Sequence, residues 1–217
     1  MVSFKAENED KIMKRLLIAT SNPGKFREYK IIFNFFLKEV KIDLVSLKEL
    51  KIKEKIEEVG KDYKENAILK AKFYSRLSNL PTLADDSGLE IEVLGNWPGI
   101  KSRRVDGREA PDKELIKLVM AQLEGVPFKK RRAKYKAVIA LALPSKNKIY
   151  TFTGERSGFI AKRSCKKIWK GFPFDSIFYL PEKREVFVRL SPREKAEFSH
   201  RLVGLRKALP ILKQVFD

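Results

Sequence analysis

Apolar residues along the chain fall into short runs separated by polar turns, and their spacing switches repeatedly between strand-like and helix-like. Arg15–Thr20 (RLLIAT) is a short apolar run that stops at Ser21-Asn22-Pro23-Gly24, and Lys25–Phe36 follows with helical character, so the pattern predicts strand, loop, helix. Asp43–Leu47 reads as a second strand and Lys48–Lys61 as a connection. Asp62 can cap a helix running to about Ser78, with Glu65 three residues on as in a capping box. Thr82–Ala84 and Leu89–Val93 are β-rich runs, interrupted by Asp85-Asp86-Ser87-Gly88, whose composition predicts a loop or bulge. Trp97-Pro98-Gly99 marks a turn. Ile116, Val119, Met120 and Leu123 recur at helical spacing within Asp112–Glu124.

Tyr135–Leu143 and Ile149–Thr153 predict a hairpin around Pro144–Asn147, Gly158–Ala161 a further edge, and Ser176–Leu180 one more strand. Leu202, Leu205, Leu209, Leu212 and Phe216 lay a stripe along a final helix from about Ser199, which Pro210 is expected to bend or interrupt. Interleaved strands and helices with a central hairpin point to an α/β protein with a mixed sheet. Met1–Lys14 lacks periodicity and is expected to be a flexible arm, with residues 15–217 as one folding unit of two lobes around a cleft.

The composition narrows the function classes. The 217 residues, 43% of them hydrophobic, suffice for one real core. No apolar run is long enough for a membrane span, and Met1–Lys14 is too charged for a signal peptide core, so no membrane partner and a cytoplasmic location are expected. One cysteine, Cys165, and one histidine, His200, exclude an internal disulfide and a Cys/His zinc site, so any metal must be held by oxygen. A formal charge of +19 favours polyanionic or phosphorylated partners, and much of it sits in Lys129–Lys136 (KKRRAKYK) and Lys162–Lys170 (KRSCKKIWK). Such runs are ordinarily solvated faces, and nucleic acid is the alternative partner they suggest.

Five constellations carry candidate chemistry. Thr20–Lys25 (TSNPGK) sits where a strand passes into a helix, so backbone amides and Lys25 suit a phosphate; alone it is an ordinary capped turn, and no P-loop is present. Asp85-Asp86 in a β region would be costly near a core unless a cation or hydrogen-bond donors compensate, and a magnesium ion would do so; alone it is an acidic turn. Glu58 can add a second carboxylate, and Lys70, on the helix that carries Glu65 and Asn66, can reach toward phosphate, although such residues usually belong to a solvated face. In Gly171–Phe178 (GFPFDSIF), Phe172 and Phe174 beside Asp175 suit a purine ring and its edge, or are simply core phenylalanines. Ser199-His200-Arg201, after Lys195, offers donors to a carbonyl oxygen such as that of a 6-oxopurine, or is a helix cap.

Taken in order, TSNPGK, Glu58 with ENAILKA, ADDSGLEIEVLGNWPGIKS, GFPFDSIF and SHR resemble the inosine/xanthosine triphosphate pyrophosphatase (Ham1-like) family over Arg15–Phe216. The resemblance implies an elongated mixed sheet with flanking helices and two lobes around an active-site cleft, commonly dimeric. It implies Mg²⁺-dependent hydrolysis of ITP, dITP and XTP to monophosphate and pyrophosphate, which cleanses the nucleotide pool. It further implies that Asp86 binds the metal and acts as the base, with Glu58 as the other metal carboxylate. Ser87, Thr20, Ser21, Asn22, Pro23, Gly24, Lys25 and Lys70 fall on substrate contacts, with Asn22, Lys25 and Lys70 toward the phosphates. Phe172, Pro173, Phe174 and Asp175 match the base-side loop, and Lys195, His200 and Arg201 match the remaining contacts, the last two facing the base. The family usually has GFGYDPIF; here Pro173 replaces the second glycine, Phe174 the tyrosine and Ser176 the proline, and the basic Ser164–Lys170 replaces a glycine-rich approach. The related Maf-type pyrophosphatases share the chemistry, but the SNPGK opening and SHR ending argue against that alternative.

Overall fold

Unbroken burial from Leu16 to Ile18 in Arg15–Ile18 (β1) is possible only if both faces of the sheet are covered, and a computed structural model, which describes residues 15–105 and 108–216, shows both faces covered. Leu16 and Ile18 enter one core with Tyr29, Ile32 and Phe33, whereas Leu17 enters another with Tyr63, Ala67 and Ala71. The first core is closed by helix α1 (Pro23–Phe36) and the second by helix α2 (Tyr63–Ser78). The expected arm at residues 1–14 lies outside the described residues.

Strand β2 (Asp43–Ser46) and the ten-residue β3 (Thr82–Ile91) flank β1 in parallel. From β3 onward the sheet is antiparallel, through the twelve-residue β7 (Arg132–Leu143) and the thirteen-residue β8 (Lys148–Ile160) to β9 (Phe178–Leu180) and β10 (Glu185–Val186). The short β4 (Trp97–Pro98) pairs with the far end of β3, and β5 (Arg104–Val105) with β6 (Arg108–Glu109) forms a separate ribbon. The sheet is therefore mixed and, at about 3.3 Å per residue, its longest strands span about 40 Å. Those strands run out of the first two cores into a third, where Leu89, Tyr135 and Phe178 pack beneath helix α3 (Asp112–Gln122).

Several sequence expectations are corrected. Asp85–Gly88 is no loop or bulge: β3 pairs with β7 without a break from Thr82↔Ala142 to Ile91↔Ala133. Gly158–Ala161 is not a separate edge, because β8 continues to Ile160 and has β9 on its far side. The strand expected at Ser176–Leu180 starts only at Phe178, after a single 3₁₀ turn over Pro173–Ser176. Helix α1 begins at Pro23, a residue suited to a first turn because it has no amide to leave unsatisfied. Asp62 does cap the Glu65 amide, at 2.8 Å, but Glu65 returns its carboxylate to the amide of Lys61 rather than to the cap itself. Helix α4 (Pro192–Glu197), with a Ser191–Glu194 capping box, and strand β10 were missed.

The last helix, α5 (His200–Phe216), runs through Pro210 uninterrupted. Pro210 is exposed, as is Arg206, whose carbonyl loses its helical donor, so water can satisfy that group while Leu205, Ala208 and Leu212 hold the inner face. The helix approaches β8 through a pair of glycines: a Cβ on Gly154 would collide with the His200 carbonyl oxygen and the Gly204 amide, whereas one on Gly204 would meet the mobile end of Ile139 at 2.9 Å. Gly154→Ala is expected to cost about 3 kcal/mol in urea unfolding, and Gly204→Ala much less, since backbone cannot yield as a side-chain terminus can; equal losses would refute this docking.

Candidate active site

Residues alternate across a strand, so the neighbours Asp85 and Asp86 leave β3 on opposite faces. Asp85, on the side of α1 and α5, accepts from Lys25 Nζ at 3.0 Å and from Arg201 Nε at 3.2 Å through the same Oδ2. Asp86, on the side of α2, accepts from Asn66 Nδ2 at 3.0 Å and from the Ser87 amide at 3.0 Å. Lys70 reaches both: it donates to the Asp85 carbonyl at 2.7 Å and to Glu58 Oε1 at 3.0 Å, and lies 3.8 Å from Asp86 Oδ1. The donors that a buried acidic pair requires come from three helices, which is how the pair is accommodated within a ladder.

Asp85 is the anchored member. Burial alone pushes its carboxyl up, but Lys25 and Arg201 outweigh burial and hold it far below the usual range. Asp86 goes the other way, raised by burial despite Lys70 and Lys25, so it is the better proton acceptor of the two. Burial lowers Lys25, against Asp85; for Lys70 the pull of burial is exceeded by Asp86, Glu58 and Asp85 together, and its pKa is raised. Lys70 is thus no solvated-face residue.

Beneath these groups lies an ionic layer that the sequence did not disclose. Arg201 also donates to Ser87 Oγ at 2.8 Å and sits 3.4 Å from Glu28 Oε2, and Ser199 Oγ donates to Glu28 Oε1. Lys195 lies 2.5 Å from Asp175 Oδ2 and 3.7 Å from Glu28, while Tyr135 donates to Asp175 Oδ1 at 3.0 Å. Glu28 gives only a helical-period signal, on the inner face of α1, and nothing local marks it as a partner of residues 170 positions away.

The cleft is lined by Thr20–Pro23, Lys25, Glu58, Lys70, Asp86, Ser87, Phe172–Asp175, Lys195, His200 and Arg201, so the structure brings together every expected site residue except Gly24. Gly24 lies behind the wall, where a Cβ would strike the Phe172 ring. Phe172 is half-buried with Lys195 Nζ 3.2 Å from its centroid, whereas Phe174 belongs to the third core and Asp175 is buried in its ion pair. Arg201 likewise has its guanidinium engaged by Asp85, Glu28 and Ser87. His200 stacks on Tyr135 at 5.1 Å; both its ring nitrogens are buried without a hydrogen-bond partner among the described residues, and burial, with Arg201, keeps the ring neutral.

Asn22, expected on the phosphate side, holds two segments of backbone together. Its Oδ1 accepts from the amides of Gly24 (2.8 Å) and Lys25 (3.3 Å), and its Nδ2 donates to the Gly171 carbonyl at 3.0 Å. The Gly171 amide donates to Asp112 Oδ2 at 3.0 Å, and Asp112 Oδ1 pairs with Arg103 at 2.6 Å. Gly171, at φ +86° and with no room for a Cβ beside Asn22, is therefore gripped from α1 on one side and α3 on the other, which fixes where Phe172 stands.

An α/β scaffold presenting two lysines, a carboxylate pair and a half-buried aromatic loop in one cleft is built for a phosphorylated aromatic ligand. By comparison with known proteins, residues 16–211 match the Ham1 family, and the chain belongs to that family. It is 36% identical over 202 residues to a protein of Bacillus subtilis (strain 168) named dITP/XTP pyrophosphatase, covering 93% of this chain and 98% of the relative. A protein of the same name from Geobacter sulfurreducens (strain ATCC 51573 / DSM 12127 / PCA) is 37% identical over 201 residues, 93% of this chain and 96% of that one. The solved Ham1 protein of Staphylococcus aureus superposes with a TM-score of 0.76 at 32% identity, covering 93% of this chain and 99% of that one.

Two predictions follow from the ionic layer and the grip on Gly171. Glu28 is pushed up by burial but brought net below its ordinary 4.5 by Arg201, Lys195 and Ser199, so its stabilisation is present above that value and is lost as pH falls below it. Glu28→Gln should therefore flatten the fall in melting temperature between about pH 5 and pH 3, and an unchanged slope would remove Glu28 from the linkage. Asp112→Ala should speed amide exchange in 169–175 about tenfold in the ligand-free protein, with Asp112→Asn intermediate; unaltered exchange would mean that Asn22 alone holds the loop.

Proposed function

We propose that this chain hydrolyses the non-standard purine nucleoside triphosphates dITP, ITP and XTP between the α and β phosphates, releasing monophosphate and pyrophosphate and so cleansing the nucleotide pool. The observation that carries the reading is the cleft itself: Asp86, with its pKa raised, lies 3.8 Å from Lys70 and next along β3 to Asp85, which pairs with Lys25, in a chain whose relatives are named dITP/XTP pyrophosphatase.

Phosphoryl chemistry depends mainly on positioning and on neutralising charge as it develops. Lys25 and Lys70 supply fixed cations. Asp86, its Oδ2 held by Asn66 and its Oδ1 by the Ser87 amide, is placed to accept the proton of the attacking water. Lys195, braced by Asp175, packs on one side of Phe172, whose ring offers a face to the purine. Neutral His200 lines the cleft, and its ring N–H, buried and without a partner among the described residues, is the donor available to the edge of the base. Its donor meets a 6-oxo group and is left without an acceptor when adenine's amino group takes that place.

The donor set fits magnesium. The candidate ligands, Asp86 and Glu58, are carboxylates that both lie within 4 Å of the Lys70 ammonium, and magnesium is ordinarily held by one or two carboxylates together with substrate phosphates and water. When bound there, the ion would neutralise the phosphates and lower the pKa of the attacking water.

Pyrophosphate release from dITP, XTP, dGTP, ATP, dTTP and UTP, with and without Mg²⁺, tests the reading. Release that requires Mg²⁺ and favours dITP and XTP is expected, and preference for dTTP or UTP would overturn it. Asp86→Asn should lower kcat by about 10²–10⁴ while leaving the circular dichroism spectrum intact; near-normal turnover would exclude Asp86 as the base. His200→Ala should narrow the ratio of kcat/KM for ITP over ATP, and an unchanged ratio would leave the histidine a packing residue.

A further inference from the structure

The two basic runs of the sequence lie about thirty residues apart, yet the fold joins them. Arg131 Nη1 donates to the Ala161 carbonyl at 3.0 Å, and the Ile160 amide donates to the Arg131 carbonyl at 2.8 Å. Lys129, Lys130 and Arg132 on one run and Lys162, Lys166 and Lys167 on the other are all exposed, and among the described residues none of them forms an ion pair. Lys134 and Lys136, a few residues further along β7, are by contrast within 3.6 Å of Glu155. The cation surplus is thus left uncompensated where the two runs meet, and none of these six side chains lines the cleft.

A second feature accompanies the charge. Arg132, Phe159 and Tyr179 are cross-strand neighbours in one row of the sheet, hence on one face, and Phe128 stacks on Phe159 with centroids 5.2 Å apart and meets Tyr179 edge-on at 5.6 Å. Phe128, Phe159 and Tyr179 are only half-buried, so a cluster of rings lies among the cations. Cations that follow a phosphate backbone, together with rings on which bases stack, are the two components of single-strand recognition. An anionic membrane would instead call for protruding apolar side chains. The exposed large hydrophobics among the described residues are Phe35, Val59, Leu77, Val93 and Ile100, none of them here.

We propose that the junction of Lys129–Arg132 with Lys162–Lys167 is a binding surface for single-stranded nucleic acid, separate from the hydrolytic cleft. Binding there is sequence-tolerant and driven by counterion release. Each phosphate contact contributes about 0.7 to the slope of log K against log salt.

The test uses the full chain and a fluorescein-labelled dT20 or U20 strand, read by anisotropy at about 50 and about 200 mM NaCl. These two concentrations bracket the range in which phosphate contacts lose most of their affinity. Lys129→Gln/Lys130→Gln/Arg132→Gln and Lys162→Gln/Lys166→Gln/Lys167→Gln are each expected to weaken binding at least about tenfold and to reduce the salt slope by about 2. Their hydrolysis of dITP should be unchanged, which also shows that they fold. The control Lys38→Gln/Lys41→Gln/Lys53→Gln removes the same charge elsewhere and should retain affinity. Phe128→Leu, which keeps the apolar contact and loses the stacking face, should weaken binding to the strand but not to heparin. The proposal is overturned if wild-type protein does not bind at the lower salt, if the control loses as much as the patch variants, or if phosphatidylserine vesicles bind more tightly than the strand.

Discussion

Two adjacent carboxylates inside a covered sheet are the constraint around which this molecule is arranged. A buried charge without a partner costs several kcal/mol, so Asp85 and Asp86 can occupy consecutive positions of β3 only if each finds compensation. Strand alternation sends them to opposite layers, and the layers answer with different chemistry. On one side Lys25 and Arg201 clamp Asp85 as a permanent anion, tying the starts of α1 and α5 to the sheet. On the other, Asn66 and Lys70 of α2 hold Asp86 loosely enough for burial to raise its pKa. The first aspartate is structural cement, and the second is left able to take a proton.

The same demand propagates outward. Arg201 needs more than one anion, and Glu28 supplies the next; Glu28 in turn faces Lys195, and Lys195 faces Asp175. The chain of alternating charges therefore runs from the Lys25 end of the cleft to its aromatic end, and His200, stacked on Tyr135 beside it, is kept neutral by burial and by the cation next to it. An imidazole that stays uncharged and, across the strand, a carboxylate whose pKa is raised are both consequences of how these buried groups are balanced.

Much of the scaffold was legible from local pattern. The strand–turn–helix at Arg15–Phe36 and the helix capped by Asp62 announced themselves through periodicity and turn chemistry, and α3 through periodicity. What failed did so because tertiary partners outweighed local preference. DDSG reads as a loop on composition, yet it is strand, because its compensating donors come from Lys25, Lys70 and Arg201, which composition of a window does not see. Lys70 reads as a solvated helix residue for the same reason. Pro210 reads as a helix breaker, and it is harmless because the carbonyl it orphans faces water. Of the site, the lining residues were legible through the ordered motifs, while Glu28, Tyr135 and Asp112 were not, since their roles lie in contacts 40 to about 170 residues away along the chain.

Pro173 and Ser176 of the Gly171–Phe178 loop act as a pair. Pro173 opens the loop's 3₁₀ turn and Ser176 ends it. Proline at the start of a turn fixes φ at no cost in hydrogen bonding, because a first-turn amide has no partner within the turn. Ser176 then donates its hydroxyl to the Pro173 carbonyl at 2.8 Å, closing the turn from the other end. Gly171, held by Asn22 and Asp112, delivers Phe172 to the cleft. The loop is ordered both by its own turn and by the helices on either side, and it sets a half-buried ring in the wall of the cleft.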